Sequence, residues 1–270
     1  MSDRHAAGTV AGGAGMNGAG ASRPNAAPLL SVKDVWKHFG GVQALRGVSL
    51  DLNAGEVVAL AGDNGAGKSV LIKTISGVYV QDQGEITLAG EKISFATPQE
   101  ARARGIETIY QDLSLADNLS IGANIFLGRE PKKRVLGFLP VLDRKRMAEA
   151  AKETMALLDF HVDRLDAPVA AFSGGQRQAV AIGRAIFWNA RILIMDEPTA
   201  ALGVPEQRKV LALVKSLKEQ GKAVIFISHN LGDIFAVADR IIVLRRGVKA
   251  GECRPSETNG DEIVRLMVGG

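Results

Sequence analysis

The sequence contains almost no cysteine and no long apolar run. Its 270 residues include one cysteine, Cys253, so the chain can form neither an internal disulfide nor a zinc site from cysteine pairs. Such usage is typical of a reducing, cytosolic setting. The longest apolar runs, such as 57–61 and 223–227, hold five residues, whereas a membrane-spanning helix needs about 20. We therefore predict that this chain does not cross a bilayer by itself.

A strong charge of either sign is also absent. The 33 Lys and Arg residues and 29 Asp and Glu residues give a formal net charge of +4. This balance permits contact with an anionic surface, and no nucleic-acid partner is predicted from it. Hydrophobic residues make up 46% of the chain, which is enough for the core of one large domain or two small ones.

Residues 1–28 differ in composition from the rest of the chain. Six are Gly and eight are Ala, and the stretch lacks the continuous apolar segment of a secretory signal. With little to bury, it is predicted to be a disordered tail. No internal repeat follows it, so 29–270 is predicted to be a single domain.

From Leu29 onward the pattern is that of an α/β protein, in which short β-branched runs alternate with helical stretches. The predicted strands cover 48–52, 56–61, 85–88, 106–110, 192–195, 223–228 and 240–245, and the predicted helices cover 68–76, 176–188 and 206–218. The strands at 192 and 223 are nearly all apolar, which indicates a parallel sheet covered on both faces. The early segments 48–52, 84–88 and 91–95, with turn-like links at 53–55 and 89–90, favour an antiparallel sheet at one side.

Residues 115–170 show a mostly helical pattern and no convincing strand. Asp143 is predicted to cap a helix. Its apolar face would be formed by Met147, Ala150, Ala151, Met155 and Leu158. The preceding basic stretch, 130–134, is either a solvated surface or a contact with lipid headgroups or a partner.

One motif predicts nucleotide binding. Residues Gly62, Asp63, Asn64, Gly65, Ala66, Gly67, Lys68 and Ser69 fit G-x-x-x-x-G-K-[ST] between a predicted strand and a predicted helix. Glycines let backbone N–H groups form an anion nest, and the helix N-terminus adds partial positive charge. Lys68 is then placed near the β- and γ-phosphates, and Ser69 offers its hydroxyl to Mg²⁺.

Four features later in the chain indicate what reaction the bound nucleotide undergoes. The apolar strand 192–195 ends in Asp196, placed to hold Mg²⁺, and Glu197, placed to deprotonate an attacking water. A helix capped by Ser173 opens with Gly174, Gly175 and Gln176, which forms a second helix end able to contact phosphate. Two side chains follow strand ends, Gln111 and His229, and each is a weak signal in isolation.

Taken in order, these motifs resemble the ATP-binding cassette family from about Leu29 to Gly270. The resemblance implies an α/β P-loop fold: a mostly parallel sheet flanked by helices, an antiparallel β subdomain, and a helical subdomain at about 115–188 that carries the signature motif. It implies that Gly62–Ser69 and the following Val70 bind the ATP phosphates and that Ser173–Gln176 are the signature motif.

The same resemblance assigns the remaining roles. Asp196 is the magnesium aspartate, Glu197 the general base and His229 the switch histidine near the γ-phosphate. Gln111 reaches Mg²⁺ and the water, in the segment that also faces the membrane partner. Phe39 lies where the family carries an aromatic residue that stacks on adenine, although a strand residue there could equally belong to the core.

The family's partners follow from the same resemblance. Cassettes dimerise head to tail, so a second copy, most simply a homodimer, would supply the signature helix. The implied partners are integral-membrane permease subunits and, indirectly, a secreted or periplasmic sugar-binding protein. The implied location is peripheral, on the cytoplasmic face of the inner membrane.

Three positions depart from the family pattern. Phe172 replaces the usual Leu, Val70 replaces a common hydroxyl residue, and Gly203 replaces an aspartate that links the two sites of the dimer. Because Ser69, Asp196 and Glu197 are retained, hydrolysis is predicted to survive these changes.

The stretch 124–130 is similar to monosaccharide importers of the ribose, xylose and fructose type. Amino-acid import is the alternative cargo. A soluble ATPase of translation or DNA maintenance is a rival, but the chain has no heptads, no cysteine pairs and no second cassette. A P-loop kinase would leave Ser173–Gln176 and His229 unexplained.

Overall fold

The computed structural model describes residues 27–135, 138–158, 164–200 and 202–269. All but the last two residues of the predicted tail, 1–28, lie outside this part of the chain. Within these ranges no helix combines the length and the apolar character that crossing a bilayer requires.

The elements alternate as an α/β pattern predicts. The strands are β1 Leu30–Phe39, β2 Val42–Leu52, β3 Val57–Ala61, β4 Gln83–Leu88, β5 Glu91–Ile93, β6 Ile106–Ile109, β7 Lys132–Val135, β8 Leu139–Leu142, β9 Ile192–Asp196, β10 Ala223–Ile227, β11 Arg240–Arg245 and β12 Val248–Cys253. The helices are α1 Lys68–Ile75, α2 Pro98–Ala103, α3 Ile121–Ile125, α4 Arg144–Leu157, α5 Gly174–Phe187, α6 Val204–Glu219, α7 Leu231–Val237 and α8 Gly260–Val268.

A six-stranded sheet in the order β12-β11-β3-β10-β9-β6 forms the centre of the molecule. All neighbouring pairs are parallel except β11 with β12. The predicted mostly parallel sheet is therefore confirmed. Because parallel strands end at one edge, the loops after β3, β6, β9 and β10 meet there.

A second sheet, in the order β2-β1-β4-β5, is antiparallel as predicted. The link at 89–90 is a two-residue hairpin turn with both φ angles positive. The link at 53–55 does not join two strands of this sheet, because it leads from β2 to β3 in the central sheet. The sequence pattern did not define β1, since its alternation is broken by register shifts after Val32, Val35 and Lys37.

Two apolar cores lie on opposite faces of the central sheet. Along β3, Val57, Ala59 and Ala61 pack with residues of α4, α5 and α6. Val58 and Leu60 pack with the antiparallel sheet and α1. Alternate side chains point to opposite faces of a strand, so a strand buried on both faces is apolar at every position.

The region 115–170 contains the predicted helix and one feature that was not predicted. Asp143 caps α4 by accepting a hydrogen bond from the backbone N–H of Arg146 at 3.2 Å. The five residues predicted for its apolar face are all buried. The prediction of no strand between 115 and 170 is wrong, because β7 and β8 form an antiparallel hairpin. Since almost every hairpin residue is exposed, no core-facing period marks these strands in the sequence.

Candidate active site

The loop between β3 and α1 is shaped by left-handed glycines. The φ angles are 150° at Gly62, 79° at Gly65 and 107° at Gly67, values that residues with a Cβ rarely adopt. A Cβ on Gly67 would also lie 3.0 Å from the carbonyl oxygen of Ala44. The predicted strand–loop–helix context is therefore present.

Charge and shape at this loop fit a phosphate chain. Helix α1 has no side-chain cap and no acidic residue in its first turn, so its N-terminal N–H groups and partial positive charge are available to an anion. The Lys68 ammonium donates to the carbonyl oxygens of Gly62 at 2.5 Å and Asp63 at 3.2 Å. A cavity of about 450 Å³ adjoins the loop and is lined by Val42, Gln43, Ala44, Asp63, Asn64, Gly65, Ala66, Gly67, Lys68, Ser69, Val70 and Arg246.

A distant turn supports the loop and was missed in the sequence. Arg246 and Gly247 connect β11 to β12, and the Gly247 N–H donates to the Ala66 carbonyl at 2.9 Å. The Arg46 N–H donates to the Gly247 carbonyl at 2.7 Å, and its guanidinium donates to the Arg246 carbonyl. The loop is thereby fixed by residues almost 200 positions apart, a relation that no local pattern signals.

Asp196 ends β9 beside the phosphate loop. Burial is the largest cause that raises the pKa of its carboxyl, and the neighbouring Glu197 raises it further. The charges of Lys68 and Lys73 act in the opposite direction. A partly desolvated carboxylate near the loop cations is the type of group that a bound cation would stabilise.

Glu197 and His229 are in direct contact. Glu197 adopts a left-handed conformation with φ 52°, which is uncommon outside glycine, and its N–H donates to the Ile227 carbonyl at 2.9 Å. Its Oε2 lies 2.8 Å from Nδ1 of His229 and 3.3 Å from the His229 backbone N. A carboxylate only accepts, so Nδ1 carries the proton of this bond. The bond joins the ends of neighbouring strands β9 and β10.

Gln111 lies at the same edge of the central sheet. Strand β6 pairs with β9 up to Ile109 and Met195, so Gln111 follows β6 where Asp196 ends β9. The Gln111 side chain is exposed. Its position therefore leaves it accessible to a ligand at the carboxyl ends of the strands.

Phe39 lies at the end of β1 and is 42% exposed. Its ring meets Tyr79 edge-on, with ring centroids 5.0 Å apart, and the Lys37 ammonium lies 5.6 Å from its centroid. This exposure rules out the core alternative. Phe39 is close in sequence to Val42, Gln43 and Ala44, which line the loop cavity.

The second helix end is formed as predicted but lies away from the first. Ser173 caps α5, and Ser173 and Gln176 exchange hydrogen bonds in a capping box. A Cβ on Gly174 would lie 2.8 Å from the Leu202 side chain, and one on Gly175 would lie 3.0 Å from Glu206 in the first turn of α6. Residues 173–176 do not line the phosphate-loop cavity, so the structure does not bring the two helix ends together within one chain.

A buried carboxylate behind the site was not anticipated. Asp233 on α7 is 4% exposed and accepts hydrogen bonds from Thr199 Oγ1 and Gln207 Nε2, both at 2.6 Å. It lies four residues after His229, and Thr199 lies two residues after Glu197. Asp233 therefore ties together the segments that carry these two side chains, and the only sequence signal was an acidic residue on an otherwise apolar helix.

The fold and this site define a P-loop nucleotide-binding domain whose acidic strand end faces the loop. The sequence profile of the ABC transporter family matches residues 45–200. The chain belongs to this family. It is an ATP-binding cassette that hydrolyses ATP, and the order of phosphate loop, signature motif and acidic strand end along the chain matches that activity.

Relatives with long matches carry sugar-import names. The chain is 48% identical to the xylose/arabinose import ATP-binding protein XylG of Sulfolobus acidocaldarius, over 88% of this chain and 93% of the relative. It is 43% identical to the fructose import ATP-binding protein FrcA of Rhizobium meliloti, over 90% and 94%. The ribose import ATP-binding protein RbsA 1 of Streptomyces avermitilis is 44% identical over 91% of this chain but only 46% of its own length.

Solved structures agree with the fold. The ADP conformation of MJ1267, an ATP-binding cassette of an ABC transporter, superposes with a TM-score of 0.78 at 26% identity, covering 91% of this chain and all of that one. The dimeric post-hydrolysis state of the cassette MJ0796 bound to ADP and Pi gives 0.70 at 26% identity, covering 84% and 98%. The predicted cassette fold is confirmed.

Proposed function

We propose that this ATPase drives the import of a monosaccharide through a separate permease. The observation that carries the proposal is the match, over nearly the full length of both chains, to XylG and FrcA, which are named for xylose/arabinose and fructose import. The relatives reported above do not favour amino-acid import or a role in translation or DNA maintenance. The proposed substrates are therefore ATP at the cassette and a sugar at the permease.

The chemistry is assigned to residues at the sheet edge. Lys68 and the backbone N–H groups of 62–69 bind and orient the phosphate chain. The Glu197 carboxylate accepts a proton from a water whose oxygen bonds to the γ-phosphorus, while the bond from that phosphorus to the bridging oxygen breaks. His229 holds the Glu197 carboxylate through the contact described above, and Gln111 orients the water. Phe39 stacks on the adenine.

Mg²⁺ fits the oxygen donors beside the loop. In the described ranges no cluster of three or more His, Cys, Asp or Glu side chains is placed to hold a metal, so protein carboxylates alone would not form the site. Mg²⁺ commonly combines one or two carboxylates with substrate phosphates. Ser69 and Asp196 would hold it, with Gln111 nearby, and when bound it supplies positive charge to the phosphate oxygens.

A second copy of the chain completes the site in this proposal. Residues 173–176 lie outside the cavity at their own phosphate loop, and the solved cassette MJ0796 is dimeric. We assign the signature motif Ser173–Gln176 to the nucleotide held by the partner copy. ATP binding would then close the dimer and hydrolysis would reopen it. The permease and a periplasmic sugar-binding protein are the remaining partners, and the cassette works peripherally at the cytoplasmic membrane face.

Sugar uptake in a strain that lacks the gene tests the function. We expect the wild-type gene to restore uptake of one radiolabelled sugar among xylose, arabinose, fructose and ribose. Glu197→Gln should restore none, because the variant binds ATP but lacks the base, and purified protein should lose at least about 100-fold in turnover. Glu219→Gln, an exposed change at the far end of α6, is the matched control.

Two outcomes would contradict the proposal. Normal hydrolysis by Glu197→Gln would remove Glu197 from the role of base. Restored amino-acid uptake with unchanged sugar uptake, or purification with ribosomes or DNA in place of a multi-span permease, would remove the sugar-import assignment.

A further inference from the structure

The hairpin β7–β8 exposes large apolar side chains that belong to neither apolar core of the described chain. Phe138 is 76% exposed and Leu139 49%, and Val135 and Leu142 are also exposed. An isolated two-stranded hairpin is only marginally stable in water. Exposed clusters of large apolar residues commonly mark interaction surfaces.

The strand register places these side chains in a definite arrangement. Val135 pairs with Leu139, and Lys133 pairs with Val141, so these four share one face of the hairpin. We define the apolar tip as Val135, Phe138 and Leu139. The opposite face carries Lys132 and Arg134.

Cationic residues flank this tip on both sides in the chain. We define the basic collar as the six cationic residues of the hairpin and of the first turn of α4, which are Lys132, Lys133, Arg134, Arg144, Lys145 and Arg146. The only acidic residue from 132 to 146 is Asp143, which is engaged as the cap of α4. In the part of the chain that the structure describes, one collar residue forms an ion pair, Lys145 with Glu149 at 3.9 Å. The collar thus carries more positive charge than the net +4 of the whole chain.

We propose that the hairpin is a docking element for an anionic lipid surface. Basic residues attract acidic headgroups within about one Debye length, roughly 10 Å. Apolar side chains such as Phe and Leu then enter the boundary between headgroups and acyl chains. An apolar tip flanked by cations, of which only Lys145 forms an ion pair in the described part of the chain, complements that surface in both charge and polarity.

The position of the hairpin is consistent with contact with a lipid surface. Its base residues Leu142 and Arg144 line a cavity of about 650 Å³ together with Asn118, Leu119 and Ser120. These belong to the segment after Gln111, which under the proposed function faces the permease. The hairpin therefore lies beside the membrane-facing segment, and this one step depends on the proposed function.

Vesicle binding by the purified full-length chain tests the proposal without any permease present. The probes are vesicles of phosphatidylcholine alone and vesicles in which phosphatidylglycerol replaces part of it. We expect binding to the anionic vesicles to be at least about tenfold stronger and to fall as salt is added. The triple variant Lys132→Gln/Lys133→Gln/Arg134→Gln should lose most of that preference.

The apolar tip and the charge control are tested separately. Phe138→Ser/Leu139→Ser should weaken binding to the anionic vesicles several-fold at unchanged charge. Lys152→Gln/Lys215→Gln/Lys222→Gln removes as many charges elsewhere and should bind as the wild type does. Basal ATP hydrolysis should be unchanged in all three, which reports that the fold is intact.

Equal binding to both kinds of vesicle, or undiminished binding by the hairpin variants, would overturn the proposal. If those variants keep vesicle binding but lose co-purification with the permease, the hairpin is a protein contact instead. Because sugar uptake is measured independently, failure of the lipid proposal leaves the import proposal standing, and failure of import leaves the vesicle result unchanged.

Discussion

At the scale of single residues, the acidic strand end combines two different electrostatic environments. Asp196 is partly buried and its pKa is raised, mainly by that burial. Glu197 has its carboxylate in contact with His229 at 2.8 Å. Two adjacent carboxylates thereby acquire different surroundings, which suits a cation ligand at one position and a proton acceptor at the next.

The raised pKa of Asp196 gives a stability prediction with a definite sign. A carboxyl whose pKa is higher in the folded than in the unfolded state destabilises the fold once pH rises through that folded value, and it has no such cost below the unfolded value. Asp196→Asn should therefore raise the melting temperature of the nucleotide-free protein at neutral pH, and the difference should vanish under acidic conditions. Thermal unfolding at a series of pH values, with Asp51→Asn as an exposed control, measures this.

Addition of MgATP should make the wild type, and not Asp196→Asn, the protein with the higher melting temperature. The wild type gains stability from binding that the variant lacks, so its melting temperature should rise more. Equal stabilisation of both proteins by MgATP, or the absence of a pH-dependent difference without it, would contradict the role given to Asp196.

At the scale of elements, Asp233 joins α7, α6 and the loop after β9. It accepts hydrogen bonds from Thr199 and Gln207 in a nearly water-free position. A buried network of this kind is stabilising when complete and costly when one member is removed. It holds the segments bearing Glu197 and His229 in fixed relation.

Asp233→Ala should lower the free energy of unfolding by about 1–3 kcal/mol, because the Thr199 hydroxyl and the Gln207 amide lose a buried partner. Thr199→Val should cost less, and the double variant should be less destabilised than the sum of the two. Urea unfolding of the wild type, the two single variants and the double variant gives the coupling free energy between the two residues. Strict additivity would show that the hydrogen bond does not connect these segments energetically.

At the scale of the whole molecule, the two helix ends proposed to contact phosphate belong to separate surfaces. The N-terminus of α1 adjoins the loop cavity, whereas the N-terminus of α5 packs beside α6. A single copy cannot present both to one nucleotide in this arrangement. The proposed head-to-tail dimer accounts for both helix ends.

Mixing two inactive variants tests the shared site. Lys68→Ala should abolish nucleotide turnover, and Ser173→Arg should block the signature surface. A mixed dimer retains one intact loop facing one intact signature, so an equal mixture should recover roughly a quarter of the wild-type activity if pairing is random. Urea unfolding of Ser173→Arg alone controls for a folding defect, with an expected loss of about 1 kcal/mol from the helix cap. No recovery in the mixture would refute a site shared between copies.

Gly203, the N-cap of α6, departs from the family pattern next to the N-terminus of α5. A Cβ at this position would lie 2.9 Å from the Glu206 carboxylate, so the aspartate common in the family would require Glu206 to move. The structure therefore accommodates the departure locally, and in the proposed dimer we expect this substitution to change the coupling between the two sites.

Local chemistry is what made much of this protein predictable from its sequence. The phosphate loop depends on glycines with positive φ and on the strand and helix around it, and all of these are encoded within about fifteen neighbouring residues. The cap Asp143 and the capping box of Ser173 with Gln176 are equally local. Strands β9 and β10 were recognisable because burial on both faces makes every position apolar.

Only the tertiary structure decided features that depend on distant residues or on unpatterned exposure. The support of Ala66 by Gly247, the contact of Glu197 with His229 and the burial of Asp233 join segments that have no sequence relation to one another. The hairpin β7–β8 was missed because nearly all of its residues face solvent, so no period marks it. The sequence determined the class of chemistry through local constraints, and the fold decided which side chains meet, because proximity at a sheet edge depends on strand order.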